Sequence, residues 1–344
     1  MTDNNKSMYC KRNSLLIGVG IVLIVALSSC GGRTGGCAPA KRGVYHWKTT
    51  YNPTAWELQW MREHRVDKLY IKLFDVKPGS EEGYPDWAMV PAASTTFLQP
   101  LPEDMEVVPV VYITVEAIRG LGDDTRRYAE LIVGRIDDMM KDNDKEDYGE
   151  LQIDCDWTQQ TESAYFRLAA DIRSLLHARH IALSGTVRLH QLRRLEPSAA
   201  DTGGATPTLP FDRMLLMCYN TGQLQQPDTE NSILDYDDVK PYLRQYHSHR
   251  LPHTDVAFPV YGWGVEFDSK GNFRRLVNSQ QLDAERKQAN GNSLREEWGD
   301  MQEIVRTQQA LPVLDSLHTT ILYHLDSTNL SKYSYEDIET IYSR

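Results

Sequence analysis

The chain has 344 residues and a formal net charge of −11, from 48 acidic and 37 basic side chains. No Lys/Arg-rich block interrupts that balance, which excludes nucleic acid as a natural partner. The length suits one large α/β barrel or two ordinary domains, and the five cysteines show neither a disulfide framework nor zinc-ligand spacing.

Lys6, Lys11 and Arg12 form a basic start, Leu15 to Leu27 is apolar, and Ser28-Ser29-Cys30 follows. An apolar run of about 13 residues is short for a bilayer span and right for a signal-peptide core. The small residues before Cys30 resemble the lipobox of a bacterial lipoprotein signal. The resemblance implies a signal peptide over residues 1–29, lipidation at Cys30, and a membrane as partner through that anchor. Gly31 stands where Asp would retain such a protein at the inner membrane, so the same resemblance implies the outer membrane of the cell envelope. Residues 30–42, rich in Gly and small side chains, read as a flexible tether. The folded domain is expected over 43–344.

From Gly43 onward strand-like and helix-like segments alternate. Strands are predicted at Val44 to Trp47, Lys68 to Phe74, Val107 to Val115, the segment ending at Asp156, Ile181 to Val187, Met214 to Tyr219, Val256 to Tyr261 and Thr320 to Leu325. Asn52-Pro53 is expected to start a helix running to about His64. Further helices are predicted at Asp123 to Lys141, Glu162 to Ala178, Val239 to His247, Met301 to Ala310 and Tyr335 to Tyr342. Residues 76–102 read as a long, Pro- and Gly-punctuated loop, and residues 197–210 as another. Eight strand-then-helix units in one domain predict an α/β (β/α)8 TIM barrel.

The strand Glu150-Leu151-Gln152-Ile153-Asp154-Cys155-Asp156 carries the strongest signal. Alternation places Leu151, Ile153 and Cys155 on one face and Gln152, Asp154 and Asp156 on the other. An acidic front near the C-terminal end of a strand suits a barrel mouth. Two carboxylates roughly 6.6 Å apart along a strand raise one pKa of the pair, although both acids could instead cap the next helix or pair with Arg. The same parity puts Tyr112, Thr114 and Glu116 together, with Glu116 projecting at the rim. Met217, Tyr219 and Asn220 end the sixth strand; Tyr261 and Trp263, then Glu266, follow the seventh. Tyr323 and Asp326 end the eighth, and Trp47 and Lys48 the first. Aromatic rings beside carboxylates and amides suit a sugar, whose C–H faces stack on rings and whose hydroxyls take polar groups. Taken singly, each ring reads as ordinary core packing; the cluster across five strands is what points to a site.

Asp154-Cys155-Asp156-Trp157 resembles the D-x-D-W core of chitinase-type (family 18) glycoside hydrolases. Met217-Cys218-Tyr219-Asn220 resembles their sixth-strand M-x-Y-D, Pro259-Val260-Tyr261-Gly262 their seventh-strand P-x-Y-G, and Tyr323-His324-Leu325-Asp326 their eighth-strand W-x-x-D. The resemblance spans about half the chain and implies a barrel that binds N-acetylated glycans. The chain departs from the pattern at decisive points. Thr158 replaces the family's acid, Leu151-Gln152 its leading Asp-Gly, Asn220 the sixth-strand Asp and Tyr323 the eighth-strand Trp. A general resemblance to exported barrel lipoproteins of Bacteroidetes type adds a compartment and no reaction.

Two readings follow. In the first, the chain is a glycoside hydrolase with Asp156 and Glu116 as catalytic carboxylates and Asp154 supporting them. In the second, it binds an oligosaccharide without cleaving it. Trp47, Trp157, Tyr219, Asn220, Tyr261, Trp263, Tyr323 and Asp326 are the expected binding residues in either. No cofactor or metal is implied: no Gly-rich phosphate loop follows a strand, and His247-Ser248-His249 with His253 lies in a polar linker.

Overall fold

The computed structural model describes residues 40–85, 88–195, 209–244, 253–286, 291–311 and 318–343. Cys30, the signal peptide, most of the 30–42 tether, most of the 197–210 loop, and His247 and His249 lie outside them. Eight parallel strands form the barrel: β1 Lys41–His46, β2 Lys68–Pro78, β3 Glu106–Ile113, β4 Glu150–Asp154, β5 Ala182–Arg188, β6 Arg213–Met217, β7 His253–Pro259 and β8 Thr319–Tyr323. Each pairs with its sequence neighbour, and β1 pairs with both β2 and β8, so the sheet closes. Closure leaves no open edge among the eight. Lys41 and Arg42, assigned to the tether by sequence, are the first residues of β1.

The outward strand faces lie under amphipathic helices. Thr125–Lys141 buries Ile132, Ile136 and Met140, and Glu162–His177 buries Leu168, Ile172 and Leu176. Each such side chain contributes about 1.5–3 kcal/mol. The first helix, Ala55–Glu63, begins later than Asn52-Pro53 predicts. Its cap is Thr54, whose hydroxyl accepts from Glu57 N (3.1 Å) while Glu57 accepts from Thr54 N (2.8 Å). That T-x-x-E box satisfies two otherwise orphaned donors, which is why it sets the boundary. Cys155 and Cys218 are free and buried, as their apolar patterns predict.

Inside the barrel the N-terminal end is closed by buried ion pairs. Lys68 reaches Glu150 (2.7 Å) and Glu106 (3.1 Å), and Arg213 takes Asp255 (2.7 Å). The C-terminal end is open and becomes the mouth.

Two additions to the barrel escape the sequence pattern. Part of the 76–102 segment is ordered pairing: Met89–Ala92 runs antiparallel to the end of β2, and Thr50–Tyr51 pairs with Thr96–Phe97. Between β7 and β8 a three-stranded antiparallel sheet is inserted, with Gly262–Phe267 between Phe273–Asn278 and Ser293–Trp298.

Candidate ligand cavity

The cavity floor is built by rungs between β4 and β5. Gln152 pairs in register with Ser184, the ladder ends at Ile153 with Gly185, and side-chain hydrogen bonds carry the same offset on to Asp154 with Thr186 and Asp156 with Arg188. Gln152 Nε2 donates to Ser184 Oγ (3.3 Å), Thr186 Oγ1 donates to Asp154 Oδ1 (2.5 Å), and Arg188 Nε donates to Asp156 Oδ1 (2.5 Å). Gln152 also accepts from Tyr45 on β1. The even-numbered residues of β4 therefore face the barrel interior, as alternation requires. The strand ends at Asp154, so Asp156 stands just beyond it, more open to solvent.

Asp154 is 2% exposed. Burial pushes its carboxyl up to about 6; the Arg188 charge opposes that rise and the Asp156 charge adds to it. Burial disfavours the charge on Arg188, but Asp154 and Asp156 more than offset it and raise the guanidinium further.

Around this floor lies a cavity of about 960 Å³, large enough for several sugar units. Its aromatic wall combines Trp47, Tyr112, Tyr219, Tyr261, Trp263 and Tyr323. Tyr323 stands at its centre, 5.7 Å from Trp47, 5.2 Å from Tyr219 and 5.6 Å from Tyr261 between ring centroids. Tyr261 donates its hydroxyl proton to Asn220 (2.6 Å). Asn220 has φ +56°, a left-handed conformation that Asn tolerates better than most residues. The Tyr219 hydroxyl is buried with no hydrogen-bond partner among the described residues.

Polar groups cross the rest of the wall. Lys48 bonds Asp326 (2.7 Å), which also caps the helix Ser327–Leu330 by accepting from Asn329 N (3.2 Å). Lys72 bonds Asp75 (2.9 Å) and lies 5.8 Å from the Trp47 ring. His324 lines the cavity beside them; burial lowers its imidazole to about 4, so it is neutral at pH 7. The inserted sheet supplies the last wall, through Trp263 and residues 276–280. Trp263 is fixed from behind: its Nε1 donates to Glu297 (2.8 Å), a fully buried carboxylate that also accepts from Ser232 N (3.1 Å) and Arg295 Nε (2.5 Å).

Of the residues expected at the mouth, Asp154, Asp156, Trp47, Tyr219, Asn220, Tyr261, Trp263, Tyr323 and Asp326 line this cavity. Glu116 does not. β3 stops at Ile113, Thr114 caps a short helix, Val115–Gly120, and Glu116 sits exposed in its first turn, 3.4 Å from Arg119. Strand parity fails there because the cap has ended the strand. Trp157 is also elsewhere: it is 1% exposed and packs against Phe166 in the helical layer. Glu266 pairs with Arg275 on the inserted sheet (2.6 Å) and does not line the cavity.

Sequence reasoning passed over Arg188, Lys72, Asp75 and His324 as site residues. Arg188 was within reach, since parity on the fifth strand aligns Ser184, Thr186 and Arg188. Asp75 was not, because β2 carries a bulge between Lys72 and Phe74 that turns both Lys72 and Asp75 inward.

Fold and site together define a closed (β/α)8 barrel with an aromatic, carboxylate-bearing cavity at the C-terminal mouth and a sheet inserted after the seventh strand. Solved structures of similar fold include the spore cortex-lytic enzyme SleL of Bacillus cereus (TM-score 0.54, 13% identity, covering 89% of this chain and 74% of that one). They also include the GH18 chitinase ChiB of Flavobacterium johnsoniae (0.53, 12%, 89% and 94%). A third is a doubly substituted GH18 chitinase of Cycas revoluta in complex with (GlcNAc)4 (0.52, 10%, 88% and 99%). At such identities the likeness is one of fold. No family model and no curated protein sequence matches the chain.

Proposed function

We propose that this chain is a lipid-anchored envelope protein that binds an N-acetylated oligosaccharide at the barrel mouth and does not cleave it. One observation carries the reading: the cavity keeps an aromatic wall for sugar rings, while each of its carboxylates is committed to a partner. Asp75 holds Lys72, Asp154 accepts from Thr186, Asp156 holds Arg188 and Asp326 holds Lys48. Glycoside hydrolysis needs a carboxyl group free to protonate the leaving oxygen, whether its partner is a second carboxylate or the substrate's own acetamido group. Thr158 stands where the family resemblance places that acid, and Glu116 lies outside the cavity. The fold shared with chitinases and with SleL supports a glycan ligand. Anchoring rests on the sequence around Cys30, and placement in the outer membrane on Gly31. One observation favours the hydrolytic alternative: Asp154, pushed up to about 6, is in the range of a general acid.

The test is a panel of labelled oligosaccharides presented to the full-length protein in detergent, with binding and product formation read in parallel. Retention of an N-acetylated glycan without products is the expected result. Tyr261→Ala or Trp263→Ala should weaken that binding about five- to tenfold, since each stacked ring is worth on the order of 1 kcal/mol. Hydrolysis products would replace this reading with the catalytic one, and a panel with no bound member would remove the glycan site.

A further inference from the structure

We infer that the preferred glycan carries a carboxylate, and that the open fork of Arg188 in the shared wall of two neighbouring cavities receives it. This rests on the reading of the mouth as a glycan site and adds the chemical class of the ligand.

The Arg188 side chain is 22% exposed. Its Nε–H is taken by Asp156, and its guanidinium carbon lies 6.0 Å from the Tyr219 ring centroid. Those two contacts fix the plane of the group. Both terminal amino groups, Nη1 and Nη2, lack an acceptor among the described residues. Arg188 lines the central cavity and also a second one of about 470 Å³, bounded in addition by His190 and Tyr242. Donors left open there face space that a ligand can fill.

Two other arginine pairs of this chain provide an internal comparison. Arg213 engages Asp255 through Nη2 (2.7 Å) as well as Nε (3.2 Å), and Arg42 engages Glu339 through Nη1 (3.0 Å) and Nη2 (3.1 Å). In these two pairs the terminal nitrogens are used. At the cavity they are not. The two lysines on the same wall, Lys48 and Lys72, each have a carboxylate within 2.9 Å.

Arginine presents parallel N–H groups in a rigid plane, matched in shape and charge by a carboxylate. A neutral acetamido carbonyl or hydroxyl offers one acceptor atom and leaves part of the fork unfilled. A ligand seated there displaces water from both amino groups, so an acceptor that fills both is favoured over one that fills half. Lys48 and Lys72 are matched by Asp326 and Asp75, so the preference rests on the fork of Arg188, whose Nε side Asp156 already occupies.

The experiment is a glycan array in which each acidic oligosaccharide is printed beside its carboxyl-reduced counterpart, probed with the full-length protein in detergent. The acidic members should lead, each exceeding its reduced partner by about tenfold or more, a difference that shrinks with added salt. Arg188→Gln should abolish the preference within each pair, and Arg188→Lys should retain only part of it, because the charge remains and the fork is lost. Equal binding within the pairs by the wild-type protein would overturn the inference while leaving the glycan site standing. An array with no bound member would overturn both. The wild-type comparison decides the matter even if the Arg188 variants fail to fold.

Discussion

Asp154→Asn tests the electrostatics of the cavity floor. Asp154 is almost completely buried, accepts from Thr186 Oγ1 at 2.5 Å, and is pushed from 3.8 up to about 6 by that burial. In the unfolded chain it titrates near 3.9. Because the folded value is the higher one, the native state holds the proton more tightly. The group's contribution to stability is therefore fully present below about pH 4 and is lost as pH rises through about 6. A separation of about 2 pH units corresponds to about 3 kcal/mol, using 1.36 kcal/mol per unit. Asparagine carries no titrating proton, and its side-chain oxygen can still accept from Thr186. The difference in unfolding free energy, variant minus wild type, should thus climb by about 3 kcal/mol between pH 4 and pH 7 and then level off. Urea unfolding of both proteins at half-unit steps from about pH 2 to pH 8 measures it directly, with the range above pH 4 deciding the assignment. A difference that stays constant over that range would refute the assignment of Asp154 as the buried, proton-retaining carboxyl. Variation confined to the region below pH 4 would show instead that Arg188 governs it.

Two further outcomes are expected. Glu297→Ala removes the acceptor shared by Trp263, Ser232 and Arg295, and leaving that arginine without its carboxylate should cost about 3–5 kcal/mol. Thermal unfolding should register this as a fall of roughly 6–15 °C, with weaker glycan binding as the Trp263 ring loses its tether; an unchanged midpoint would mean that the inserted sheet is held by other contacts. Cys30→Ala should leave uncleaved precursor or release the protein from the membrane fraction, and a variant that is processed and retained like the wild type would refute the anchor.

The barrel itself was legible in the amino-acid sequence. Its signals are local: alternation of period two on strands such as β4, helical spacing in Thr125–Lys141 and Glu162–His177, and turn residues between them. Asp154 and Asp156 were legible too, because a strand with an apolar back leaves its front no destination except the barrel interior. Glu116 shows where parity stops, since one N-cap residue, Thr114, turned the strand into a helix and carried the next acid away. Trp157 shows that neighbouring positions at a strand end divide between cavity and helical layer, and packing against Phe166 made the choice. The inserted sheet was illegible because its strands are short and half polar, with pairing between Trp263 and Glu297 that only three-dimensional contact reveals. The pairing of Asp154 with Thr186 and of Asp156 with Arg188 follows from the alignment of β4 beside β5, which sets residues thirty-two positions apart next to one another. On the regular strands, sequence alternation determined which side chains face inward; the tertiary structure decided where caps and bulges break that alternation and which inward groups are already bonded to one another, because those depend on distances that only the closed barrel sets.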